Sequence, residues 1–305
     1  MRCTFLGTGT SHGIPVIACD CDCCKSTDFR DKRMRSSLWI TDGDFNNPET
    51  SILIDIGPDF RSQALKFNIK KLDALLLTHS HADHLNGLDD IRIFSHTCSL
   101  EPIAEDGTKK EHPETFGDGL PVYGNNVTIQ DLQHRFSYIF KPTKEGGGKP
   151  KIRAIDSSCF TTDFPLQINN VTLIPVPLFH GSLETCGWII QNTLTKKCFI
   201  YLTDCNFIPK ESINLLNKFH GKIECLVIDA LRQRKHTTHF SFDEALEISL
   251  KIKSKQILFT HICHDLMHFQ IQNYISDKIQ TTSSLSELNN VESIAPAYDG
   301  LYLEF

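Results

Sequence analysis

The sequence lacks the features of a membrane-spanning or secreted protein. None of its apolar runs approaches the ~18 residues that a helix needs to cross a bilayer. The first residues, Met1 to Gly7, contain no apolar core of a secretory signal. These two absences predict a cytoplasmic protein without a membrane partner.

The chain also lacks the basic excess of most nucleic-acid-binding proteins. It has 31 Lys and Arg residues against 37 Asp and Glu residues, a formal net charge of −6 at pH 7. Because a nucleic-acid groove usually carries a positive excess, this balance disfavours a long polyanionic partner. A small substrate is the alternative that remains, and a homodimer is compatible with the sequence.

No internal repeat is visible, and the composition is that of an ordinary globular protein, with 40% hydrophobic and 22% charged residues. Disorder, collagen-like repeats and coiled coil are therefore excluded as the main architecture. A chain of 305 residues can bury a substantial core. We expect one domain over residues 1–305, with an insertion or cap at about 97–159, where the composition turns polar and includes Gly146, Gly147 and Gly148.

Two groups of apolar strands, each accompanied by helices, predict the fold class. Strands are predicted over 1–7, 37–41, 51–56, 72–77, 171–178, 187–191, 197–203, 224–230 and 256–260, and helices over 59–67, 85–94 and 129–140. Further helices begin at Pro209 and at Ser241, which has the capping-box spacing to Glu244. Asp299 and Gly300 predict a closing hairpin. The grouping favours an α/β (α+β) sandwich of two sheets over an alternating doubly wound sheet.

Four metal-type side chains lie within six residues after an apolar strand: His79, His81, Asp83 and His84. In an extended segment His79 and His81 point the same way and can share one ion. Asp83 and His84 enter the following turn and can face a second ion. Imidazole and carboxylate suit zinc, manganese or iron, and without a thiolate their chemistry does not choose among these metals.

Three more metal-type residues follow strands elsewhere in the chain: His180, Asp204 and His261. Each alone is weak, because a single histidine after a strand is more often a surface residue. Together they repeat one arrangement, in which a buried strand delivers a ligand to the same edge of a sheet. The sequence therefore predicts a metal centre built from these seven residues.

The order of the seven residues resembles that of the metallo-β-lactamase superfamily, and the runs at 6–10 and 54–57 are similar to its first two motifs. The resemblance covers nearly the whole chain. It implies an αββα sandwich of two mixed sheets flanked by helices, in which Asp55 supports the metal-binding loop. It also implies the pairing of the ligands: one ion takes His79, His81 and His180, the other takes Asp83, His84 and His261, and Asp204 bridges them.

The chain has 12 cysteines, four of which fall within six residues. Without a targeting segment, so many thiols predict a reducing compartment, where they bind metal or stay free. Cys19, Cys21 and Cys24 supply three thiolates, His264 can complete a tetrahedral structural zinc, and Cys23 is expected to point away. This combination resembles the phosphoribosyl cyclic phosphodiesterases of the bacterial phosphonate pathway, which carry a separate structural zinc. Free buried thiols are the alternative.

His236 and His239 lie in a basic segment directly before the helix cap at Ser241. A helix N-terminus and nearby cations favour a bound phosphate. The family resemblance implies that His239 contacts the phosphate and donates a proton, and His236 is a second substrate-binding candidate; a basic surface loop is the alternative. Three arginines could bind a substrate anion, although a solvated basic face is the simpler interpretation: Arg30, Arg33 and Arg35.

These features predict a dinuclear metal-dependent hydrolase with two zinc or manganese ions and one structural zinc. The expected substrate is a small or cyclic phosphodiester, attacked by a hydroxide that bridges the two ions. Asp204 and His239 are the expected catalytic residues. Asp204 is expected to bridge the two ions, and His239 is expected to donate the proton, because a histidine can supply a proton near neutral pH.

Several alternatives share this fold or these ligands. A transfer-RNA 3′-end endonuclease usually has a long substrate arm between the equivalents of His180 and Asp204, which are only 24 positions apart here. A thioester hydrolase or a lactonase uses the same seven ligands but does not explain the cysteines. An extracellular β-lactamase usually lacks the ligand at His84 and carries an export signal. A metal-stabilised binding protein would have lost ligands, and none of the seven is missing.

Overall fold

The computed structural model describes residues 1–97, 119–141 and 149–305. Gly146, Gly147 and Gly148, together with much of the segment predicted as an insertion, lie outside these residues. The strands are β1 (Arg2–Gly7), β2 (Ser37–Asp44), β3 (Asn47–Ile54), β4 (Ala74–Leu76), β5 (Leu120–Gly124), β6 (Ile152–Asp156), β7 (Leu166–Ile168), β8 (Val171–His180), β9 (Leu183–Asn192), β10 (Cys198–Leu202), β11 (Ile223–Asp229), β12 (Gln256–Thr260), β13 (Ser293–Pro296) and β14 (Tyr302–Glu304).

The α-helices of the described ranges are α1 (Asp22–Lys25), α2 (Phe60–Lys66), α3 (Ala82–Leu85), α4 (Arg92–Thr97), α5 (Asn126–Arg135), α6 (Ser137–Phe140), α7 (Lys210–Asn217), α8 (Phe242–Ser249) and α9 (His268–Thr281). The capping box predicted at Ser241 is present at the start of α8. Over the parts of the chain that are described, no helix has both the length and the apolar character that crossing a membrane requires.

The described strands form two seven-stranded mixed sheets. The first has the order β14-β1-β2-β3-β4-β5-β6, and the second has the order β13-β12-β11-β10-β9-β8-β7. Neighbours from β3 to β6 are parallel, as are neighbours from β10 to β13. Because β9 is antiparallel to both β8 and β10, β8 runs in the same direction as β10. Each sheet therefore gathers several carboxyl ends of strands at one edge.

Alternating side chains separate the layers of the fold. On β10, Phe199 and Tyr201 pack in the interior between the two sheets, whereas Ile200 and Leu202 pack under α7, α8 and α9. The outer face of the first sheet is covered by α2, α5 and α6 through Phe60, Leu132 and Ile139. The order of layers is helix, sheet, sheet, helix, which confirms the predicted αββα sandwich.

Two strands in the described part of the segment predicted as an insertion or cap pair with the first sheet. β5 pairs in parallel with β4, and β6 pairs in parallel with β5. The segment looked polar because β6 is the edge strand of its sheet, with no fully buried residue. The division of the chain into domains stays a prediction.

Two further local predictions were wrong. The helix expected over 85–94 is interrupted, because Gly87 donates its backbone N–H to the Ile56 carbonyl at 2.9 Å and ties this turn to the loop after β3. Asp299 and Gly300 form a turn, in which Leu301 N–H donates to the Tyr298 carbonyl at 3.0 Å, but not a hairpin. The turn crosses between sheets, since β13 lies in the second sheet and β14 in the first.

Candidate metal centre

The seven predicted ligands meet at one edge of the sandwich, where strand ends deliver them. The loop after β4 carries four of them, His180 ends β8, and Asp204 and His261 closely follow β10 and β12. Asp204 and His261 have positive φ angles of 50° and 59°. Such angles are uncommon for residues with a side chain and concentrate at functional sites, where the surroundings hold them. We call the seven residues the His/Asp centre: His79, His81, Asp83, His84, His180, Asp204 and His261.

Asp55 anchors the loop that carries the first four ligands, residues 78–84, which we call the metal loop. One carboxylate oxygen accepts from Thr78 N–H and the other from the Thr78 hydroxyl, both at 2.8 Å. The second oxygen also lies 2.7 Å from His84 Nδ1. Gly57 is required beside this loop, since a Cβ at that position would come within 2.0 Å of the Asp83 carbonyl oxygen. Asp55 thus orients a ligand through its second ring nitrogen.

One half of the His/Asp centre is a compact group of two carboxylates and two imidazoles. His84 Nε2 lies 3.0 Å from Asp204 Oδ2 and 3.3 Å from Asp83 Oδ2. His261 Nε2 lies 3.2 Å from Asp204 Oδ1 and 3.7 Å from Asp83 Oδ2. All four donor atoms lie within 4.8 Å of one another. This spacing allows them to share one cation.

The other half is a group of three imidazoles. The ring centroid of His81 lies 4.6 Å from that of His79 and 5.2 Å from that of His180. His180 Nδ1 is 2.7 Å from the Thr238 carbonyl oxygen, so the proton sits on Nδ1 and Nε2 keeps its lone pair. His79 Nε2 is 3.9 Å from Asp204 Oδ1. Asp204 therefore touches both halves, the position expected for a bridging ligand.

The residues fit divalent cations. Among the described side chains, buried nitrogens without a hydrogen-bond partner include Nε2 of His79, Nε2 of His84 and both ring nitrogens of His261. Leaving buried polar atoms unpaired is costly, and a bound ion or water would satisfy them. Burial, followed by the charge of neighbouring His84, lowers the pKa of His79 well below its usual value. His79 is therefore in the neutral form that binds metal. Burial lowers the pKa of His84, but the charges of Asp204 and Asp83 outweigh this effect and raise that pKa well above its usual value, so His84 must release a proton when it binds metal.

His239 stands beside the His/Asp centre and is held there by Asp229, a residue that the sequence analysis missed. His239 Nδ1 lies 2.8 Å from Asp229 Oδ2. Its ring stacks on that of His261 at 4.7 Å and meets that of His180 edge-on at 4.5 Å. Burial lowers the pKa of His239, but the charge of Asp229 and its hydrogen bond outweigh this effect and raise that pKa to about 9.

Asp229 could have been found from the same signal as Asp204, because it ends the apolar strand β11. The other candidate in this segment, His236, is half-buried and places its ring centroid 5.2 Å from that of His239. The basic segment before α8 therefore does bring both histidines to the centre.

The three arginines all have partners within the protein. The predicted solvated basic face is wrong for Arg33, and none of the three has a guanidinium without a partner that could bind a substrate anion. Arg33 is buried and donates to the Thr8 hydroxyl at 2.7 Å. Arg35 binds Asp59 at 2.9 Å, and Arg30 binds Asp28 at 2.7 Å. Their close spacing in sequence was misleading because the segment folds inward at Arg33.

The structure also brings together the four residues predicted for the structural zinc, which we call the cysteine site: Cys19, Cys21, Cys24 and His264. His264 Nδ1 lies 3.4 Å from Cys19 Sγ, 3.4 Å from Cys21 Sγ and 3.6 Å from Cys24 Sγ. Bond lengths of ~2.3 Å to sulfur and ~2.0 Å to nitrogen give a tetrahedral S···N edge of about 3.5 Å around zinc. The spacing of these four side chains therefore fits a zinc ion.

Local hydrogen bonds distinguish the thiols of this region. The Cys24 backbone N–H first, and then His264, lower the pKa of Cys21 to about 6, which favours the thiolate that binds metal, whereas burial raises the pKa of Cys24 to about 11. Cys23 instead donates to the Leu266 carbonyl at 3.5 Å, and burial raises its pKa to about 12. Cys23 thus stays outside the set, and the described cysteines form no disulfide.

The fold and the His/Asp centre define the class of protein. Residues 50–262, more than half of the chain, match the Beta-lactamase superfamily domain. The chain belongs to the metallo-β-lactamase superfamily, a fold family that implies binding of divalent metal.

Three individual proteins of known description are similar to this chain. A crystal structure described as a new diphosphatase from the PhnP family is 34% identical, has a TM-score of 0.73 and covers 100% of this chain and 97% of its own. An octanoyltransferase of Porphyromonas gingivalis is 34% identical over 265 residues, which are 87% of this chain and 46% of that protein. A 3′,5′-cyclic-nucleotide phosphodiesterase of Schizosaccharomyces pombe is 21% identical over 66% of this chain and 51% of its own length. The chain thus spans about half the length of these two curated relatives. The resemblance to the metallo-β-lactamase superfamily that was drawn from the sequence is confirmed, and the 34% identical structure places the chain near the PhnP family.

Proposed function

We propose that this protein is a two-metal phosphodiesterase that hydrolyses small phosphodiesters, cyclic ones included. The donor set supports two ions, because Asp204 touches both halves of the His/Asp centre. We assign His79, His81 and His180 to one ion and Asp83, His84 and His261 to the other. Zinc and manganese both suit these ligands.

Two bound divalent ions would supply a hydroxide near neutral pH and would neutralise charge on the phosphoryl oxygens. The protein's own task is then to hold the ligands and to deliver a proton to the leaving oxygen. Asp55 and the positive-φ turns at Asp204 and His261 hold the ligands, because they fix the ligand directions before substrate binds.

The placement of His239 is the observation that carries the proposal. Asp229 holds Nδ1 at 2.8 Å, so Nε2 is the ring nitrogen left for contact with a substrate. The ring lies against His180 of one half and His261 of the other, yet His239 is not needed to complete either ligand group. A phosphate held between the two halves would therefore have a histidine N–H beside its leaving oxygen. Such a proton transfer contributes ~10²–10⁴-fold to the rate.

The test compares His239→Ala on two substrates. A ribose cyclic phosphate has a poor alkoxide leaving group and should lose roughly 10²–10⁴-fold in kcat. A nitrophenyl phosphodiester needs little protonation and should lose much less. Equal losses on both would show that His239 binds the phosphate without donating the proton. A matched panel of a thioester and a lactone, with the unchanged protein, tests the substrate class, since faster cleavage of either would contradict a phosphodiesterase.

A phosphoanhydride is the second candidate substrate, favoured by one observation. The PhnP-family diphosphatase shares 34% identity with this chain over its full length. A diphosphate linkage offers the same phosphoryl group to the ions but a leaving phosphate that needs less protonation. Comparing kcat/KM for a cyclic phosphodiester and a nucleoside diphosphate compound separates the two. Acyl transfer, in contrast, draws support only from the name of the Porphyromonas relative, of which the match covers 46%.

A further inference from the structure

Helix α5 binds the one residue that separates the first two ligands of the metal loop. Ser80 lies between His79 and His81 and is buried. Arg135, the last residue of α5, donates a hydrogen bond from its guanidinium to the Ser80 carbonyl oxygen. The Ser80 side chain reaches the same helix at Asp131, whose pKa is lowered by Arg135 and, in addition, by a hydrogen bond from Ser80. The backbone of Ser80 is therefore held from α5 through Arg135.

Asp131 and Arg135 also pair with each other. Arg135 Nε and Nη2 lie 2.9 Å and 2.6 Å from Asp131 Oδ2. The two residues are four apart, with the acid nearer the helix N-terminus, which is the favourable orientation. Their side chains are 33% and 36% exposed, and an ion pair of this exposure contributes little to stability. Its main physical consequence is the fixed direction of the guanidinium toward Ser80.

The helix that carries this pair is itself firmly anchored. The Asn125 side chain caps α5 by accepting from Thr128 N–H at 2.9 Å and donates to the Glu184 carbonyl on β9 at 3.0 Å. Ile129 and Leu132 are buried on its inner face. A displacement of Ser80 would therefore have to work against a capped and packed helix.

The two ends of the metal loop and its interior are held by different groups. Asp55 binds Thr78 and His84, whereas Arg135 and Asp131 bind Ser80. We infer that Arg135 and Asp131 are positioning residues that set the directions of His79 and His81 and thereby the affinity of the ion which those histidines share with His180. The inference rests on the ligand assignment of the proposed function. It concerns one ion of the two, because Ser80 separates two ligands of that ion, whereas His84 of the other ion is held by Asp55.

The experiment is a stepwise titration of the full-length, metal-depleted protein with Co²⁺, followed by absorption spectroscopy. His81→Ala and His261→Ala assign the two steps to the two halves of the His/Asp centre, and thiolate-to-cobalt absorption identifies the cysteine site. Arg135→Ala should weaken the step of the His79/His81/His180 ion by about 10–100-fold, the usual loss when a group that orients a ligand is removed. The Asp83/His84/His261 step should change less than about threefold.

Three further variants make the result specific to the pair. Asp131→Asn should lower the affinity of the same step by a smaller factor, and Arg135→Lys should recover part of it through a single donor. Arg30→Ala breaks an ion pair of similar exposure, 39% and 28%, far from the metal loop in sequence, and should change neither step. Equal weakening of both steps by Arg135→Ala, or no weakening at all, would overturn the inference. An unchanged protein that binds no Co²⁺ outside the cysteine site would overturn the ligand assignment, and the inference with it.

Discussion

The cysteine site and the His/Asp centre are two candidate metal sites built on different principles. Three ligands of the cysteine site come from one short segment, and their sulfur atoms lie 3.4–3.6 Å from His264 Nδ1. The ligands of the His/Asp centre come from the ends of four strands in two sheets, and several of their buried nitrogens have no hydrogen-bond partner in the described residues. The first group is closed around its centre, whereas the second leaves bonding capacity unused.

This difference indicates a structural role for the cysteine site and a catalytic role for the His/Asp centre. A closed tetrahedral thiolate site contributes to folding, while a catalytic site keeps a position for water or substrate. The cysteine site packs in a small apolar cluster with Ile14 and Met267, and His264 lies only three residues after the ligand His261. We therefore expect it to brace the centre without taking part in the reaction.

Removal of metal should produce the largest contrast between the two sites. A mild chelator should take the ions of the His/Asp centre first and reduce phosphodiester hydrolysis by more than about 10³-fold, since it removes both the hydroxide source and the charge neutralisation. Zinc or manganese should restore the rate. Metal analysis after dialysis checks that about one zinc per chain is retained. Activity that persists in protein free of all metal would contradict the account.

Asp229→Asn should have the next largest effect. The amide keeps a similar shape but no longer supplies the charge that supports a protonated His239. We expect kcat for a ribose cyclic phosphate to fall about 10–100-fold, with a smaller loss for a nitrophenyl ester. Asp59→Asn, which breaks the ion pair with Arg35, serves as the control. A loss that is equal for the two substrates would limit Asp229 to a structural role.

Cys21→Ser should act on stability instead of chemistry. It removes one thiolate from the cysteine site, so total zinc should fall by one ion per chain and Tm should drop by at least about 5 °C. At a temperature where the variant is folded, kcat should change less than about threefold. Cys23→Ser, whose thiol lies outside the ligand set, is the matched control. If both variants kept the same zinc content, the cysteine site would not hold zinc.

The smallest predicted effect concerns His268, which packs beside buried Arg33. Burial first, and then the charges of Arg33 and Arg30, lower the pKa of His268 to about 4. The unfolded chain, with a histidine pKa of about 6.5, therefore binds more protons between pH 6.5 and 4. Stability should fall as the pH falls through this window, by about 1–2 kcal/mol from this group.

Denaturant unfolding of the unchanged protein and of His268→Gln at pH 7 and pH 4.5 measures this contribution. Between pH 7 and pH 4.5, the unfolding free energy of the unchanged protein should fall by more than that of His268→Gln. An identical pH dependence of both proteins would show that His268 does not titrate in this range.

Local patterns made most of the His/Asp centre predictable. His79, His81, Asp83 and His84 follow one strand within six residues, so their meeting depends on little beyond that strand's end. The partnership of Asp229 with His239 was not predictable in this way, because it depends on how the segment after β11 folds back toward the strand end. The role inferred for Arg135 likewise depends on where α5 lies against the metal loop.

The fold was predictable where the hydrophobic pattern was strong. Prediction failed where contacts between segments distant in sequence determine the local structure. The strand predicted over 256–260 agrees with β12 in both bounds. β6 was missed as a strand because it is a half-exposed edge strand. α9 was missed because its inward face has only a few apolar residues, among them Ile271 and Ile275. Arg33 looked solvated because sequence alone does not reveal a buried cation with partners far along the chain.

The most direct test of the account is the paired measurement of metal content and phosphodiester hydrolysis in Asp204→Ala. Asp204 touches both halves of the His/Asp centre, so its loss should remove or weaken both ions and bring turnover below detection. The cysteine site should keep its single zinc, and the fold should remain intact by circular dichroism. A variant that retains two ions outside the cysteine site and hydrolyses the phosphodiester at a near-normal rate would contradict the central claim.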